Sequence, residues 1–318
     1  MLYSLIIIII GLFAVIYGAN FFVLGSASIA RKLGISAFVV GLTVISIGTS
    51  APELFINVIA ASQGATDLSI GNILGSNIAD VFLGLGIAAI VFPLALKKGT
   101  VWKEIPYTVL SALLILAFGA SIFTSGSSFD LISRGEGIIL LGLFILFLIY
   151  TFKLSKVEGD NGEDIEMYGW FRSIVYILGG VIVLVIGGKL VVDYAVKFAE
   201  VLGISQNLIG ITIVAAGTSL PEIVTAVVAA KKRQIDLAVG GIVGTVIFNS
   251  LFVLGVTAVV RPLPFSQDNI LDALVFTAAM LMLFVFMFTG KRLSLDKWEG
   301  IIMVIAYILY IAFAIFRG

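Results

Sequence analysis

Ten apolar runs, each long enough to cross a bilayer, dominate the sequence. A helix needs about 20 mainly apolar residues to span the hydrocarbon core. Hydrophobic residues make up 60% of the 318 residues and charged residues only 12%, more apolar surface than a soluble fold buries. We therefore predict an all-α polytopic membrane protein. The predicted transmembrane helices lie at about residues 3–28, 37–61, 70–93, 105–124, 136–152, 172–198, 207–230, 237–260, 270–289 and 299–316.

The predicted spans fall into two groups of five. The predicted units are a first five-helix repeat at 1–153, an acidic cytoplasmic linker at 154–171 and a second five-helix repeat at 172–318. The linker lacks the Asp-x-Asp-x-Asp-Gly spacing of a calcium-binding loop, so we expect it to be solvated. The first run is too long for a signal peptide and no basic residue precedes it, so we predict that it is a helix.

Lysine and arginine are distributed unevenly over the loops. Of the 19 basic residues, 14 follow odd-numbered spans and 5 lie on the opposite side. The positive-inside rule then predicts that the odd-numbered loops are cytoplasmic and that both termini are extracellular, in the cell membrane. The 19 basic and 19 acidic residues balance, so no overall field favours nucleic acid. We expect a monomer in the lipid bilayer.

The two halves contain the same segment in opposite orientations. Residues 41–91 align without a gap with residues 210–260, at an offset of 169, with 20 identities in 51 positions. An odd number of spans, five, separates the copies, so the second copy is inverted relative to the first. Inverted-topology repeats are typical of secondary transporters, although some channels also contain them.

Each copy places a polar motif inside an apolar helix. The motifs are Gly48–Glu53 and Gly217–Glu222, both reading Gly-Thr-Ser-x-Pro-Glu. The proline cannot donate a backbone hydrogen bond and the glycine loosens the helix, so the pattern predicts a break with free carbonyls near Ser46 and Ala215. A free carbonyl at this depth needs a cation or water as partner.

Glu53 and Glu222 lie near the middle of their spans. An ionised acid there costs about 2.5–3.5 kcal/mol on insertion scales, and no lysine or arginine lies in spans 2, 3 or 8. A bound cation would supply the missing charge; protonation, or a hydrogen bond between two neutral acids, are the alternatives. Hydroxyl groups three or four residues before each acid share its helical face. They belong to Thr49, Ser50, Thr218 and Ser219.

A second polar pair recurs in the next span of each copy. Ser76 and Asp80 are four residues apart, and Thr245 and Asn249 occupy the aligned positions. This spacing places each pair on one helical face. We predict that they belong to the same cation site, with interhelical hydrogen bonding as the alternative.

The chain contains no cysteine and no histidine. This excludes thiolate metal sites, cysteine nucleophiles, Ser-His-Asp catalysis and the usual zinc sites. Carboxylates, hydroxyls, amides and carbonyls remain, which suit Na⁺ and Ca²⁺. We therefore expect a transporter without a cofactor, and neither an enzyme nor an intramembrane protease; a cation channel remains the alternative class.

The paired motifs resemble the α-repeats of the cation/Ca²⁺ exchanger superfamily, and most closely those of prokaryotic Na⁺/Ca²⁺ exchangers. The resemblance covers both repeats. It implies a core of helices 2, 3, 7 and 8, across which helices 1 and 6 slide. It also implies exchange of Na⁺ for Ca²⁺ by alternating access, with H⁺/Ca²⁺ or K⁺-dependent exchange as the alternative.

The resemblance implies a role for each polar residue. Glu53 and Glu222 would be the main Ca²⁺ and Na⁺ ligands. Further oxygens would come from the hydroxyls of Thr49, Ser50, Thr218, Ser219, Ser76 and Thr245, the carbonyls of Ser46 and Ala215, and the side chains of Asp80 and Asn249. In archaeal exchangers of this type the acid is associated with the second repeat and the amide with the first. Asp80 and Asn249 reverse that order.

Overall fold

The computed structural model describes residues 2–120, 131–154, 167–202 and 215–317. Residues 155–166 of the predicted linker and residues 207–214 of the seventh predicted span lie outside these ranges. The described residues form ten long helical units, and nine of them are long and apolar enough to span a membrane. Their bounds are α1 Leu2–Leu33, α2 Ala37–Gln63, α3 Thr66–Val91, α4 Thr100–Gly119, α5 Arg134–Leu154, α6 Trp170–Val201, α7 in the two segments Ala215–Thr218 and Leu220–Lys231, α8 Ile235–Val260, α9 Gln267–Phe286 and α10 Lys297–Arg317.

Several helices begin before their apolar run because polar side chains cap them. The Ser266 hydroxyl accepts from the Asn269 backbone N–H at 3.2 Å and starts α9. At the start of α5 the Glu136 carboxylate accepts from the Ser133 backbone N–H at 2.7 Å, while the Ser133 hydroxyl accepts from the Glu136 N–H at 3.3 Å. This reciprocal arrangement satisfies donors that have no partner within the helix.

The same tight turn joins α2 to α3 and α7 to α8. Gly64 ends α2 with φ of 92°, and Arg233, at the aligned position, follows α7 with φ of 58°. The left-handed region suits glycine and strains arginine. The Arg233 guanidinium lies over the Phe92 ring at 5.6 Å, a contact that favours this unusual conformation. The repeat is therefore preserved in backbone geometry where the side chains differ.

Two short strand pairs bind one repeat to the other. Strand β1 (Leu94–Ala95), after α3, pairs antiparallel with β4 (Ser294–Leu295), before α10. Strand β2 (Leu131–Ile132), before α5, pairs in the same way with β3 (Leu263–Pro264), after α8. The two pairs are equivalent under the internal repeat. The third helix of each repeat therefore lies beside the fifth helix of the other, as two inverted five-helix repeats require.

Burial distinguishes the central helices α3 and α8 from the outer helices, which include α1 and α6. Within their apolar windows 78% of the α3 residues and 83% of the α8 residues are buried, against 33% in α1 and 22% in α6. Helices α2 and α7 pack against this centre through α8 and α3. The core therefore consists of α2, α3, α7 and α8, while much of the surface of α1 and α6 faces the lipid.

Helices α1 and α6 touch along two equivalent glycine pairs. A Cβ atom at Gly11 would lie 3.0 Å from the carbonyl oxygen of Gly187, and one at Gly18 would lie 3.0 Å from that of Gly180. Under the repeat offset each pair maps onto the other. Small residues allow such close packing of two helices in membranes.

We expect Gly180→Ala to destabilise the protein, because the added Cβ would lie 2.7 Å from the Phe22 backbone nitrogen. Overpacking of this kind costs roughly 1–3 kcal/mol. The matched control is Gly179→Ala on the same helix, where no atom lies within 4 Å of the new Cβ. Thermal unfolding of the detergent-solubilised protein should give a lower Tm for Gly180→Ala alone. Equal Tm values for the two variants would contradict the close helix contact.

Candidate functional site

The polar motifs of both repeats meet at the centre of the core. Helices α2 and α7 each carry one Gly-Thr-Ser-x-Pro-Glu motif, and α3 and α8 carry the Ser76/Asp80 and Thr245/Asn249 pairs. Near these pairs α3 and α8 contain wide π-helical turns, at Asp80–Leu85 and Phe248–Val253. Such turns occur frequently at functional sites. Here they turn the polar faces of both helices inward.

Hydroxyl groups connect the first repeat to the second on one side of the site. The Ser50 hydroxyl donates to Glu222 Oε1 at 3.1 Å and lies 3.4 Å from Thr245 Oγ1. The Thr49 hydroxyl also lies close to Glu222, although it donates to the Ile45 carbonyl oxygen at 3.1 Å. Side chains from α2, α7 and α8 therefore meet at Ser50.

The equivalent contacts occur on the opposite side of the site. Ser76 Oγ and Thr218 Oγ1 are 3.4 Å apart, and the Ser219 hydroxyl donates to the Ser76 carbonyl oxygen at 3.3 Å. Ser219 also lies close to Asp80. Ser50 and Ser219 therefore each reach the neighbouring repeat, as the internal symmetry requires.

Three acids lie buried at this centre. Glu53 is 3% exposed, Asp80 1% and Glu222 4%. Each interacts electrostatically with at least one of the others. Helices α2, α3 and α8 contain no lysine or arginine, and α7 has one only at its end, at Lys231. The charge of these acids therefore has no basic side chain on the core helices to balance it.

Five buried oxygen atoms of the site lack a hydrogen-bond partner in the described part of the chain. They are Glu53 Oε2, Glu222 Oε2, Asp80 Oδ1, Asp80 Oδ2 and Asn249 Oδ1. Leaving a buried polar group without a partner costs roughly 1–3 kcal/mol, and more for a charged group. Among the described residues no three acidic side chains are close enough to hold a metal ion by themselves. A cation here would be held by carboxylates together with hydroxyl, amide and carbonyl oxygens.

The predicted helix break occurs in only one of the two motifs. In the second repeat the helix is interrupted at Ser219, whose ψ is 1°. In the first repeat, helix Ser46–Gln63 continues through Pro52, so the break expected there is wrong. Proline removes only the hydrogen bond to the Gly48 carbonyl, and neighbouring helices can accommodate one missing bond. The irregular backbone of α2 is instead a π-helical turn at Gly41–Ile45.

The two backbone positions differ in their surroundings. The Ser46 carbonyl oxygen accepts a long, 3.5 Å hydrogen bond from the Thr49 hydroxyl. The Ser46 hydroxyl donates to the Leu42 carbonyl oxygen at 2.6 Å. Ala215 is the first described residue of α7. The Ser46 carbonyl therefore lies on the motif side of the π-helical turn, where the Thr49 hydroxyl approaches it.

An amide network next to the site was not anticipated. The Asn57 side chain donates to the Glu53 carbonyl oxygen at 2.7 Å and accepts from Asn72 Nδ2 at 3.4 Å, while the Ser69 hydroxyl donates to the Asn57 carbonyl oxygen at 2.7 Å. The aligned residues of the second repeat are Ala226, Ala238 and Gly241. The sequence signal for this network was the presence of three polar residues, Asn57, Ser69 and Asn72, in otherwise apolar segments. The two sides of the site are therefore chemically unequal.

Glu104 and Asp272 are two of the buried acids that lie outside the site. The Tyr150 hydroxyl donates to Glu104 Oε1 at 2.7 Å. Arg317 binds Asp272 through both of its terminal nitrogens, at 2.9 and 3.3 Å. Glu104 was missed because the apolar run of its helix begins one residue later. Neither acid lies on a core helix.

Comparisons with known proteins agree with this architecture. A family model described as "Sodium/calcium exchanger protein" matches residues 3–153 and 172–316. The sodium/calcium exchanger MaX1 of Methanosarcina acetivorans is 30% identical, over 97% of each chain. An uncharacterized membrane protein of Methanocaldococcus jannaschii, MJ0091, is 35% identical over 96% of this chain and 95% of its own.

A solved structure also matches over nearly the whole chain. The sodium-calcium exchanger NCX_Mj, soaked with 10 mM Na⁺ and zero Ca²⁺, superposes with a TM-score of 0.83 and 34% identity, covering 97% of this chain and 98% of its own. The resemblance in the sequence motifs is thereby confirmed at the level of the whole fold. Ion exchange needs no cofactor, and these proteins are transporters rather than enzymes. The chain belongs to the sodium/calcium exchanger family of polytopic membrane transporters.

Proposed function

We propose that this protein is a secondary active antiporter that exchanges Na⁺ for Ca²⁺ by alternating access. The observation that supports this is the group of five buried oxygen atoms without hydrogen-bond partners, on core helices that lack basic residues. A bound cation satisfies these oxygens and balances the acids at the same time. Hard oxygen ligands of this kind suit Ca²⁺ and Na⁺.

In this proposal Glu53 and Glu222 are the principal ligands and both ions use them. The hydroxyl, carbonyl and amide oxygens around them complete the coordination. The full proposed set is Glu53, Glu222, Thr49, Thr218, Ser50, Ser219, Ser76, Thr245, Asp80, Asn249 and the backbone carbonyls of Ser46 and Ala215. The hydroxyl bridges from Ser50 to Glu222 and from Ser219 to the Ser76 carbonyl support a single shared site.

The charges explain why such a site would exchange ions rather than leak them. With Glu53 and Glu222 ionised, the empty site carries two negative charges, which either one Ca²⁺ or several Na⁺ can neutralise. Moving the empty site through an apolar barrier would cost several kcal/mol. Reorientation is therefore favoured only when the site is loaded, and alternate loading from the two sides produces antiport.

Helices α1 and α6 are the proposed moving element. Their mutual contact includes two equivalent glycine pairs, and only 33% of the α1 window and 22% of the α6 window are buried. In this view they slide as a pair across the core and open the site to one side at a time. The protein acts as a monomer in the cell membrane with both termini outside, and residues 1–153 and 172–318 are its two halves, joined by the linker at 154–171.

Ca²⁺ uptake into proteoliposomes tests the driving ion. Vesicles preloaded with Na⁺ should take up Ca²⁺ several-fold faster than vesicles preloaded with K⁺, because Na⁺ is the ion that replaces Ca²⁺ in this proposal. Equal uptake from both would contradict Na⁺ coupling. Uptake driven by a pH gradient without Na⁺ would identify H⁺/Ca²⁺ exchange instead. Unitary currents without counterflow would indicate a channel.

Removing either principal charge tests the site itself. Glu53→Gln and Glu222→Gln keep the side-chain volume but remove the anion, so Ca²⁺ flux should fall to less than about a tenth, since 1.4 kcal/mol of lost binding corresponds to a tenfold weaker affinity. Asp67→Asn is the control, because this acid is exposed at the start of α3. Near-normal flux in either glutamine variant would exclude that acid as a ligand.

A further inference from the structure

Two equivalent contacts fix how α3 and α8 are aligned with α10 and α5. A Cβ atom at Gly300 would lie 2.5 Å from the Gly86 carbonyl oxygen, and one at Gly137 would lie 2.9 Å from the Gly255 carbonyl oxygen. Gly86 and Gly255 occupy the same position in the two repeats. Because the backbones touch at these points, the register of each antiparallel helix pair is fixed.

This register brings Tyr307 to the level of Asp80. Tyr307 follows Gly300 by seven residues, and Asp80 precedes Gly86 by six, so both lie about 10 Å from the glycine contact in the same direction. The Asp80–Leu85 turn packs against α10. Tyr307 is 7% exposed and within electrostatic range of Asp80.

In the other helix pair, Phe144 follows Gly137 by seven residues and Asn249 precedes Gly255 by six. Phe144 therefore lies at the level of Asn249. The Phe144 ring lies 5.8 Å from the ring of Phe248 and 5.0 Å from that of Phe252, the residues that flank Asn249 along α8. Phe144 is also 7% exposed. A phenyl ring therefore lies at the level of the buried amide, and a phenol lies at the level of the buried acid.

The difference between the two rings matches the difference between the two polar residues. A phenol hydroxyl can donate to a carboxylate, and a buried tyrosine hydroxyl usually finds a partner. A phenyl ring has no donor to offer. Both Asp80 oxygens lack donors among the described residues. The Asn249 oxygen lacks one there as well, but leaving a neutral amide without a partner costs less than leaving a charged group without one. In this chain the acid and the tyrosine both belong to the contact between α3 and α10.

We infer that Tyr307 is a positioning residue for Asp80. Neither Asp80 oxygen has a hydrogen-bond partner in the part of the chain that this structure describes; in the cation-loaded protein the Tyr307 hydroxyl donates to the Asp80 carboxylate and holds that group towards the cation site. The acid–phenol pair and the Asn249–Phe144 pair are then matched halves of one centre. This inference rests on the proposed function, because it assigns Asp80 to the cation site.

A double-mutant cycle tests the pair. Ca²⁺ uptake by proteoliposomes is measured for wild type, Tyr307→Phe, Asp80→Asn and the double variant, with KM and kcat determined separately and Tm measured in detergent. Tyr307→Phe should raise KM for Ca²⁺ about tenfold, the effect of losing a hydrogen bond to a charged group, with kcat and Tm nearly unchanged. In the Asp80→Asn background the same change should alter KM less than about twofold. An equal factor in both backgrounds would overturn the inference.

Exchanging the two pairs provides a rescue experiment. Moving the acid alone, with Asp80→Asn and Asn249→Asp, should raise KM. Adding Tyr307→Phe and Phe144→Tyr moves the phenol with the acid and should restore KM to within about threefold of wild type, because the hydrogen bond is formed again. Absence of rescue with an unchanged Tm would count against the pairing. If the fourfold variant does not fold, the double-mutant cycle decides alone.

The outcomes distinguish this inference from the proposed function. If Na⁺ drives Ca²⁺ uptake and Tyr307→Phe behaves as wild type, only the inference fails. If H⁺ rather than Na⁺ drives uptake, the proposed coupling fails, and the same cycle can still be measured with that driving ion.

Discussion

Three buried carboxylates without a basic partner are the constraint on which the rest of the structure depends. A charge at this depth is expensive in lipid, so the acids must lie away from it, inside a shell of other helices. Helices α3 and α8 are therefore the most buried elements, and the hydroxyl-rich segments of α2 and α7 close around them. The layout of the molecule follows from the need to keep these acids away from the lipid.

The backbone follows the internal symmetry more closely than the side chains do. The left-handed turn at Gly64 recurs at Arg233, and the Gly86–Gly300 contact recurs at Gly255–Gly137. The polar residues differ: the amide network around Asn57 has only alanines and a glycine opposite it. A symmetric frame permits two equivalent access routes, while unequal side chains allow the two routes to differ in their affinity for water and ions.

Much of this architecture could be predicted from the sequence because membrane burial leaves strong patterns. The length of the apolar runs predicts the transmembrane helices. The gapless repeat, whose copies are separated by an odd number of spans, predicts that the second half is inverted. The Glu53 and Glu222 motifs could be recognised because polar residues in apolar runs are conspicuous. The continuous helix through Pro52 could not be predicted, since it depends on which neighbours accommodate a missing hydrogen bond. Tyr307 carried no signal, because aromatic residues are common in membrane helices and only the helix register brings it to Asp80.

The strand pairs have a consequence for biosynthesis. Strand β1 follows α3, yet its partner β4 is made only after more than half of the remaining chain has emerged. Strand β2 likewise pairs only after β3 has been synthesised, and the glycine face of α3 is covered only after α10 has been synthesised. The first half therefore cannot complete its packing on its own during translation, and must persist in the membrane as an open, partly assembled bundle. Each half therefore has surfaces that only the other half covers, and the packing around α3 is complete only after α10 has been inserted.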